Sequence, residues 1–439
     1  VYDYSKGSSV TWSTALGTSD SAGYWYDSAD PSNYIMGSYS ETDSFFVGDE
    51  TGVGTVIINL NSDITIGSLT LSGKDFMNSA TVTSSNYTYS LTILGDLVRA
   101  ESAQMAFLDR LNVLTIGGNL FLGRNNIQMA DRKVIIGGDI VANSPNGQQS
   151  SVYAQPGVES AAKTFEEGLA DPDMLVRGIL RNVDGASLSL YSKADSRDTY
   201  IQVGGASGNV NIRREAPGNI ATTADTISYF VFTNSQDYSS SGYMTENNTY
   251  WLSQHGKLAI VMNGTASQEF TGNSLQFQGG VKVLSGSLKL AFNQAPNNYS
   301  HYRDSAKTIS VTYMTQEGGS TGTTYSHGDL EISGGEFSSS SNAGYGSFRF
   351  TNIKYSGGTI TLRLDGADAM DSIDLTTYYA RVADSSSGEE VVSWETYAGG
   401  TITREEGAGK ITFNFTGNLL WLVDYEADGK QGVRVIAWD

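Results

Sequence analysis

Two acid–guanidinium pairs recur in this chain. Asp109-Arg110 and Asp131-Arg132 stand 22 residues apart, counted from one arginine to the next. Arg124 and Asp139 lie near them in sequence. On adjacent turns of a repeat, such groups would suit a polysaccharide lyase or hydrolase, which needs clustered acids for a metal and a Lys or Arg base. The competing interpretation, a ladder of solvated charges on one face of a repeat, is the one adopted. A second cluster, Asp365, Asp368 and Asp371, gathers three carboxylates around Gly366. Calcium takes about six to eight oxygen ligands, and acidic loops supply them, so calcium is the one cofactor considered. The EF-hand spacing is missing, and a polar turn between strands explains the same residues. Asp20, Asp27 and Asp30 form a weaker acidic set. His255, His301 and His327 share no metal-ligand spacing. No nucleophile elbow, phosphate loop or dinucleotide fingerprint stands in a convincing context. No catalytic residue is assigned, and the expectation is of a protein that is not an enzyme.

Composition narrows the partners. The balance of 27 Lys and Arg against 47 Asp and Glu gives a formal charge of −20. That argues against a nucleic-acid backbone, whose binding needs cations to replace counterions. Cysteine is absent, so disulfides and thiolate metal sites are ruled out. The longest apolar runs, such as Leu419-Leu420-Trp421-Leu422-Val423, fall far short of the ~20 residues of a membrane span. The chain begins at Val1 rather than methionine, which suggests a processed product whose signal peptide has been removed. Tyrosine is abundant at 25 residues. Tyr24, Tyr26, Tyr87, Tyr89, Tyr243, Tyr250, Tyr299 and Tyr302 are candidates for exposed rows that stack on sugars.

The elements that would carry these groups are short strands. Aliphatic residues alternate with Thr and Ser in Asp63-Ile64-Thr65-Ile66-Gly67-Ser68-Leu69-Thr70-Leu71, the period of a half-buried strand. Glycine turns then recur: Leu94-Gly95-Asp96-Leu97, Gly117-Gly118-Asn119-Leu120 and Gly137-Gly138-Asp139-Ile140. The pattern returns at Gly256, Gly286, Gly328 and Gly358. Recurrence at roughly 20–45 residues marks a repeat architecture, in which each unit buries its apolar face only by stacking on its neighbours. Gly67 and Gly73 are expected to supply turn conformations closed to most other residues. The stretch Glu159–Leu169 is the best helix candidate, closed by Gly168.

Several motifs resemble the autotransporter-associated β-strand repeat proteins of bacteria. They are Trp12 and Trp25, then Asp43-Ser44-Phe45-Phe46-Val47-Gly48-Asp49, then Gly54-Thr55-Val56-Ile57-Ile58 and Ile64-Thr65-Ile66-Gly67-Ser68-Leu69-Thr70. Gly279-Gly280-Val281-Lys282-Val283-Leu284-Ser285-Gly286-Ser287-Leu288 is similar to the core of one such repeat. The ending Val435-Ile436-Ala437-Trp438-Asp439 is similar to secreted proteins of the Verrucomicrobia type, though their Pro-Glu-Pro sorting tail is missing. The resemblance implies an extracellular or cell-surface β-helix and transfers no catalytic residues.

These observations predict an all-β chain: a right-handed parallel β-helix over 55–345, with a helical or loop insertion near 143–185. An aromatic N-terminal arm would occupy 1–54 and a β cap 346–439. The expected function is that of an extracellular structural protein that self-associates into a surface fibre or layer. In that scheme Val1, Tyr2 and Tyr4 would add as a strand to the next copy. The alternative is a cell-surface adhesin or glycan-binding β-helix. The expected partners are copies of the same chain, with glycans second.

Overall fold

A computed structural model describes residues 9–12, 26–27, 29–34, 39–47, 56–71, 80–100, 106–144, 148–192, 197–215, 226–247, 257–272, 275, 277, 279–292, 299–303, 309–313, 328–341, 347–350, 353–363, 372–375, 402–404, 413–416, 420–427 and 430–437. The chain forms two compact units. The first comprises Val1–Phe230 with Asn247–Gly256, and the second Val231–Glu246 with Lys257–Asp439.

The first unit is a parallel β-helix. It opens with β1 (Ser9–Trp12), a hairpin of β2 (Tyr26–Asp27) and β3 (Asp30–Tyr34), and β4 (Ser44–Val47). Each later turn of the chain lays down three strands. They are β5 (Val56–Leu60), β6 (Ile64–Ile66) and β7 (Ser68–Leu71), then β8 (Ala80–Ser84), β9 (Leu91–Ile93) and β10 (Leu97–Arg99). The next rungs are β11 (Ala106–Asp109), β12 (Val113–Ile116) and β13 (Leu120–Leu122), and β14 (Asn125–Ala130), β15 (Lys133–Ile136) and β16 (Ile140–Ala142). Then come β17 (Gln149–Ala154), β18 (Met174–Val176) and β19 (Leu180–Asn182), followed by β20 (Ser187–Ser192), β21 (Thr199–Val203), β22 (Ala206–Ser207) and β23 (Val210–Glu215).

Like strands stack in parallel. Sheet 1 runs β1-β5-β8-β11-β14-β17-β20-β23, sheet 2 runs β6-β9-β12-β15-β18-β21, and sheet 3 runs β4-β7-β10-β13-β16-β19-β22. The alternation seen in sequence sets which face is buried. In sheet 2 the register aligns Ile66, Ile93, Ile116, Ile136, Val176 and Val203 in one inward column. All six are buried. Burying an aliphatic side chain of this size contributes about 1.5–3 kcal/mol, so these columns hold the rungs together.

The corner between sheets 2 and 3 explains the glycine repeat. Here glycine serves close approach rather than a left-handed turn. A Cβ on Gly117 would sit 2.2 Å from the Leu94 carbonyl oxygen, and one on Gly137 would sit 2.2 Å from that of Gly117. Gly67 is held the same way against Thr42 and has no positive φ, contrary to the turn conformation expected for it. The Asp or Asn after the glycine caps the next rung. Asp96 Oδ1 accepts the Asn119 N–H at 2.7 Å, Asn119 Oδ1 accepts the Asp139 N–H at 2.8 Å, and Asp139 Oδ1 accepts the Ile179 N–H at 2.9 Å. The partners are 23, 20 and 40 residues apart. The longest step contains an insertion, which carries α1 (Phe165–Ala170).

A Thr164–Glu167 capping box starts that helix, which runs through Gly168 instead of closing there. The reason is packing: a Cβ on Gly168 would meet the Tyr200 ring at 2.4 Å.

In the second unit, Lys257–Phe270 pairs in parallel with Gly280–Phe292. Leu330–Ile332 and Glu336–Ser341 then lie along the two halves of Gly280–Phe292. Ile353–Tyr355 and Thr359–Arg363 stack on those, and Ile402–Arg404 and Phe413–Thr416 stack in turn. At this unit's bend glycine does adopt positive φ, +72° at Gly286 and +68° at Gly335. Leu420–Ala427 and Lys430–Ala437 form an antiparallel hairpin.

The corner ladder carries a direct prediction. Asn119→Leu leaves the Asp139 N–H without its acceptor and lowers stability by about 1–3 kcal/mol. Asn119→Asp keeps the acceptor but sets a third carboxylate between Asp96 and Asp139. Its cost grows as pH rises through the carboxylate range near about 4. Urea unfolding at several pH values checks both; a wild-type midpoint for Asn119→Leu contradicts the ladder.

Candidate functional site

A second corner, between sheets 1 and 2, also uses aspartates as caps. Asp63 Oδ1 accepts the Ser90 N–H at 2.8 Å, Asp173 Oδ2 accepts that of Tyr200 at 3.0 Å, and Asp198 Oδ1 accepts that of Ile227 at 2.8 Å. Asp173 is buried and well compensated. Arg197 grips both its oxygens, at 2.8 and 3.1 Å, and Lys163 lies 3.1 Å away.

Two rungs of this corner differ. The recurrence of Asp109-Arg110 and Asp131-Arg132 is the rung repeat itself: Asp109 pairs in register with Ala130, so the two dipeptides stand on adjacent rungs. Asp131 is 0% exposed. Its Oδ1 accepts the Leu111 N–H at 2.8 Å, reaching back to the preceding rung. Its Oδ2 is buried without a hydrogen-bond partner, as is Asp109 Oδ1. Burial raises the Asp131 carboxyl well above its ordinary value, and the neighbouring Asp109 charge adds to the effect. Unlike Asp173, this pair has no cation to offset it: neither Arg110 nor Arg132 forms an ion pair with any described residue. The Arg132 guanidinium turns instead to the Tyr87 ring, 5.6 Å from its centroid.

Tyr87 follows from a short 3-10 turn, Ser85–Tyr87, and Glu159 from the turn that carries Gly157. The Gly157 N–H bonds the Asp131 carbonyl at 2.9 Å and the Arg132 carbonyl at 3.1 Å, which anchors that turn over the corner. Asp109, Arg110, Asp131 and Glu159 all lie near enough for their charges to act on the Tyr87 phenol. Burial raises the Tyr87 phenol above 10.0, and the Arg110 charge opposes that shift.

Backbone strain gathers at the same place. Among described residues other than glycine, positive φ occurs at Asn86 (52°), Tyr87 (57°), Arg110 (58°), Glu159 (58°) and Asp184 (53°). Four of these five line the corner. The left-handed region costs an L-residue roughly 1–2 kcal/mol, and retained strain of this kind clusters at binding and catalytic sites.

The recurrence that pairs Asp109-Arg110 with Asp131-Arg132 gives no signal for Glu159, and Tyr87, expected in an exposed row that stacks on sugars, is half-buried with the Arg132 guanidinium over its ring. Asp139, which lies near them in sequence, belongs to the corner between sheets 2 and 3, where its Oδ2 accepts the Arg181 Nε–H at 2.7 Å. Asp365, Asp368 and Asp371 lie outside the described residues, as do Val1, Tyr2 and Tyr4. Among the described residues no three His, Asp or Glu side chains converge as metal ligands would. Two aromatic pairs spend their faces on each other: Tyr153 stacks on Tyr191 at 4.4 Å and Tyr200 on Tyr229 at 4.9 Å. No helix of the described residues is long and apolar enough to cross a membrane. No protein-family model matches the chain, and no curated protein matches it.

Asp131 makes stability depend on pH in an unusual sense. The native state holds this proton above the ordinary aspartate value of 3.8, where the unfolded chain has lost it. Its contribution is therefore full at acid pH and is lost as pH rises above that value. Asp131→Asn keeps an acceptor for Leu111 and removes the titration. Unfolding midpoints should rise at pH 7 and lose this part of their pH dependence. A variant less stable than wild type at pH 7, with an unchanged pH profile, contradicts the assignment.

Proposed function

We propose that this chain is an extracellular structural protein of a bacterial surface that associates with copies of itself through its solenoid ends, and that it is not an enzyme. One observation carries the reading. The first described rung ends in parallel strands, β1, β4 and β6, each the last member of its sheet among the described residues. Residues Ser9–Trp12 of the N-terminal segment already lie in register on Ile57–Leu60. A terminal strand leaves a row of N–H and C=O groups that templates another parallel strand. Addition of one copy's end to another's is heterologous and propagates as a filament. The resemblance to autotransporter-associated repeats supports a surface location. Adhesion to a glycan is the second reading, favoured by the strained corner at Arg110.

The edge of β1 tests the first reading. Successive residues of a parallel strand point their N–H groups to alternate sides, so either Val10 or Thr11 directs its N–H outward. Proline there removes a donor that only the next copy would use. Of Val10→Pro and Thr11→Pro, one should abolish filaments in negative-stain electron microscopy while leaving the unfolding midpoint close to wild type. Wild-type protein that stays as isolated particles at every concentration contradicts the reading, and so do filaments from both variants.

A further inference from the structure

The corner at Asp109 and Asp131 holds groups that its own fold does not use. Every other aspartate cap described at this corner of the first unit faces forward to the next rung. Asp131 faces back, and leaves its second oxygen buried with no donor. The adjacent Asp109 leaves one buried oxygen in the same state. Arg110 and Arg132 form no ion pair with a described carboxylate. Arg110 is exposed. Arg132 is partly buried, its Nε has no acceptor, and its guanidinium lies 5.6 Å from the Tyr87 ring centroid.

We propose that this corner binds an anionic polysaccharide, whose carboxylate or sulfate groups are gripped by the guanidiniums of Arg110 and Arg132. The planar fork of arginine matches both oxyanions and makes paired, charge-assisted hydrogen bonds to them. The two arginines stand on adjacent rungs and both neighbour Tyr87, Arg132 over its ring and Arg110 near enough for its charge to reach the phenol, so in this proposal they clamp a single charged sugar together. Tyr87 is a positioning residue that holds Arg132, and Glu159 borders the site with an acceptor for sugar hydroxyls. The overall charge of −20 opposes the approach of a polyanion, but at physiological salt that repulsion decays over about 8 Å. Recognition is therefore local. The binding is independent of end-to-end assembly and asks for no catalysis.

The backbone strain supplies the decisive variant. Arg110 sits at φ 58°, a conformation glycine adopts freely. Arg110→Gly should keep or raise the unfolding midpoint while removing one jaw of the clamp. Asp184→Gly relieves the same strain at φ 53° on a different corner and serves as the control. Isothermal titration would use oligogalacturonate, a carrageenan oligosaccharide (sulfated, without uronate) and neutral maltohexaose at physiological salt. The expected result is binding of at least one anionic oligosaccharide, at least tenfold weaker binding by Arg110→Gly, unchanged binding by Asp184→Gly, and no heat from maltohexaose. Uronate against sulfate separates the two possible sources of the anion. Absence of binding by both anionic probes overturns the proposal. So does equal binding of maltohexaose, or wild-type affinity in a folded Arg110→Gly.

Discussion

The first unit depends on one constraint. Wherever the chain turns between sheets, a backbone N–H leaves the ladder and must find an acceptor on the rung beside it. A buried amide without one costs about 1–3 kcal/mol, and the requirement recurs at every turn. The chain meets it with short carboxylate and carboxamide side chains placed at the corners. Asp96, Asn119 and Asp139 serve one corner, and Asp63, Asp173 and Asp198 a second. The second unit repeats the device, since Asp237 Oδ1 accepts the Ser267 N–H at 2.8 Å. Part of the acidity that reads as solubility in the composition is thus structural.

Stacking like residues on like rungs creates the opposing problem, because identical charges would line up. The chain handles it column by column. Asn119 separates two aspartates at one corner. Asp173 takes Arg197 and Lys163 at the second. In the second unit Lys282, Glu331 and Lys354 alternate in register, and Glu331 forms ion pairs with both lysines. Seen against this pattern, Asp109 and Asp131 are the exception. Their carboxyls adjoin, neither Arg110 nor Arg132 forms an ion pair with them, and the backbone around them is strained.

Much of the fold was legible. The alternation of Ile64, Ile66, Leu69 and Leu71 and the glycine recurrence both follow from rungs that must bury the same faces, so a parallel β-helix could be read directly. The role of the glycines could not. Gly117 and Gly286 look alike in sequence, yet one is required only by a carbonyl 2.2 Å from where its Cβ would stand and the other by a φ of +72° as well as a carbonyl at 2.7 Å. Only the neighbouring rung distinguishes them. The helix end failed for a related reason, since Gly168 answers to the Tyr200 ring, a contact across the chain that local propensity does not encode. At the corner site the repeat spacing placed Asp109-Arg110 above Asp131-Arg132, because spacing and rung are the same quantity. Tyr87 and Glu159 reach it through local turns with no periodic signature.

Amide hydrogen exchange at the corner between sheets 2 and 3 tests the underlying constraint most directly. With single-residue resolution, the amides of Asn119, Asp139 and Ile179 should be protected to the same degree as the strand amides of Leu114 and Ile116. Each donates to a side chain on the neighbouring rung. Exchange of those three at the rate of free peptide, while the flanking strands stay protected, would contradict the account. The rungs would then be held by their apolar columns alone.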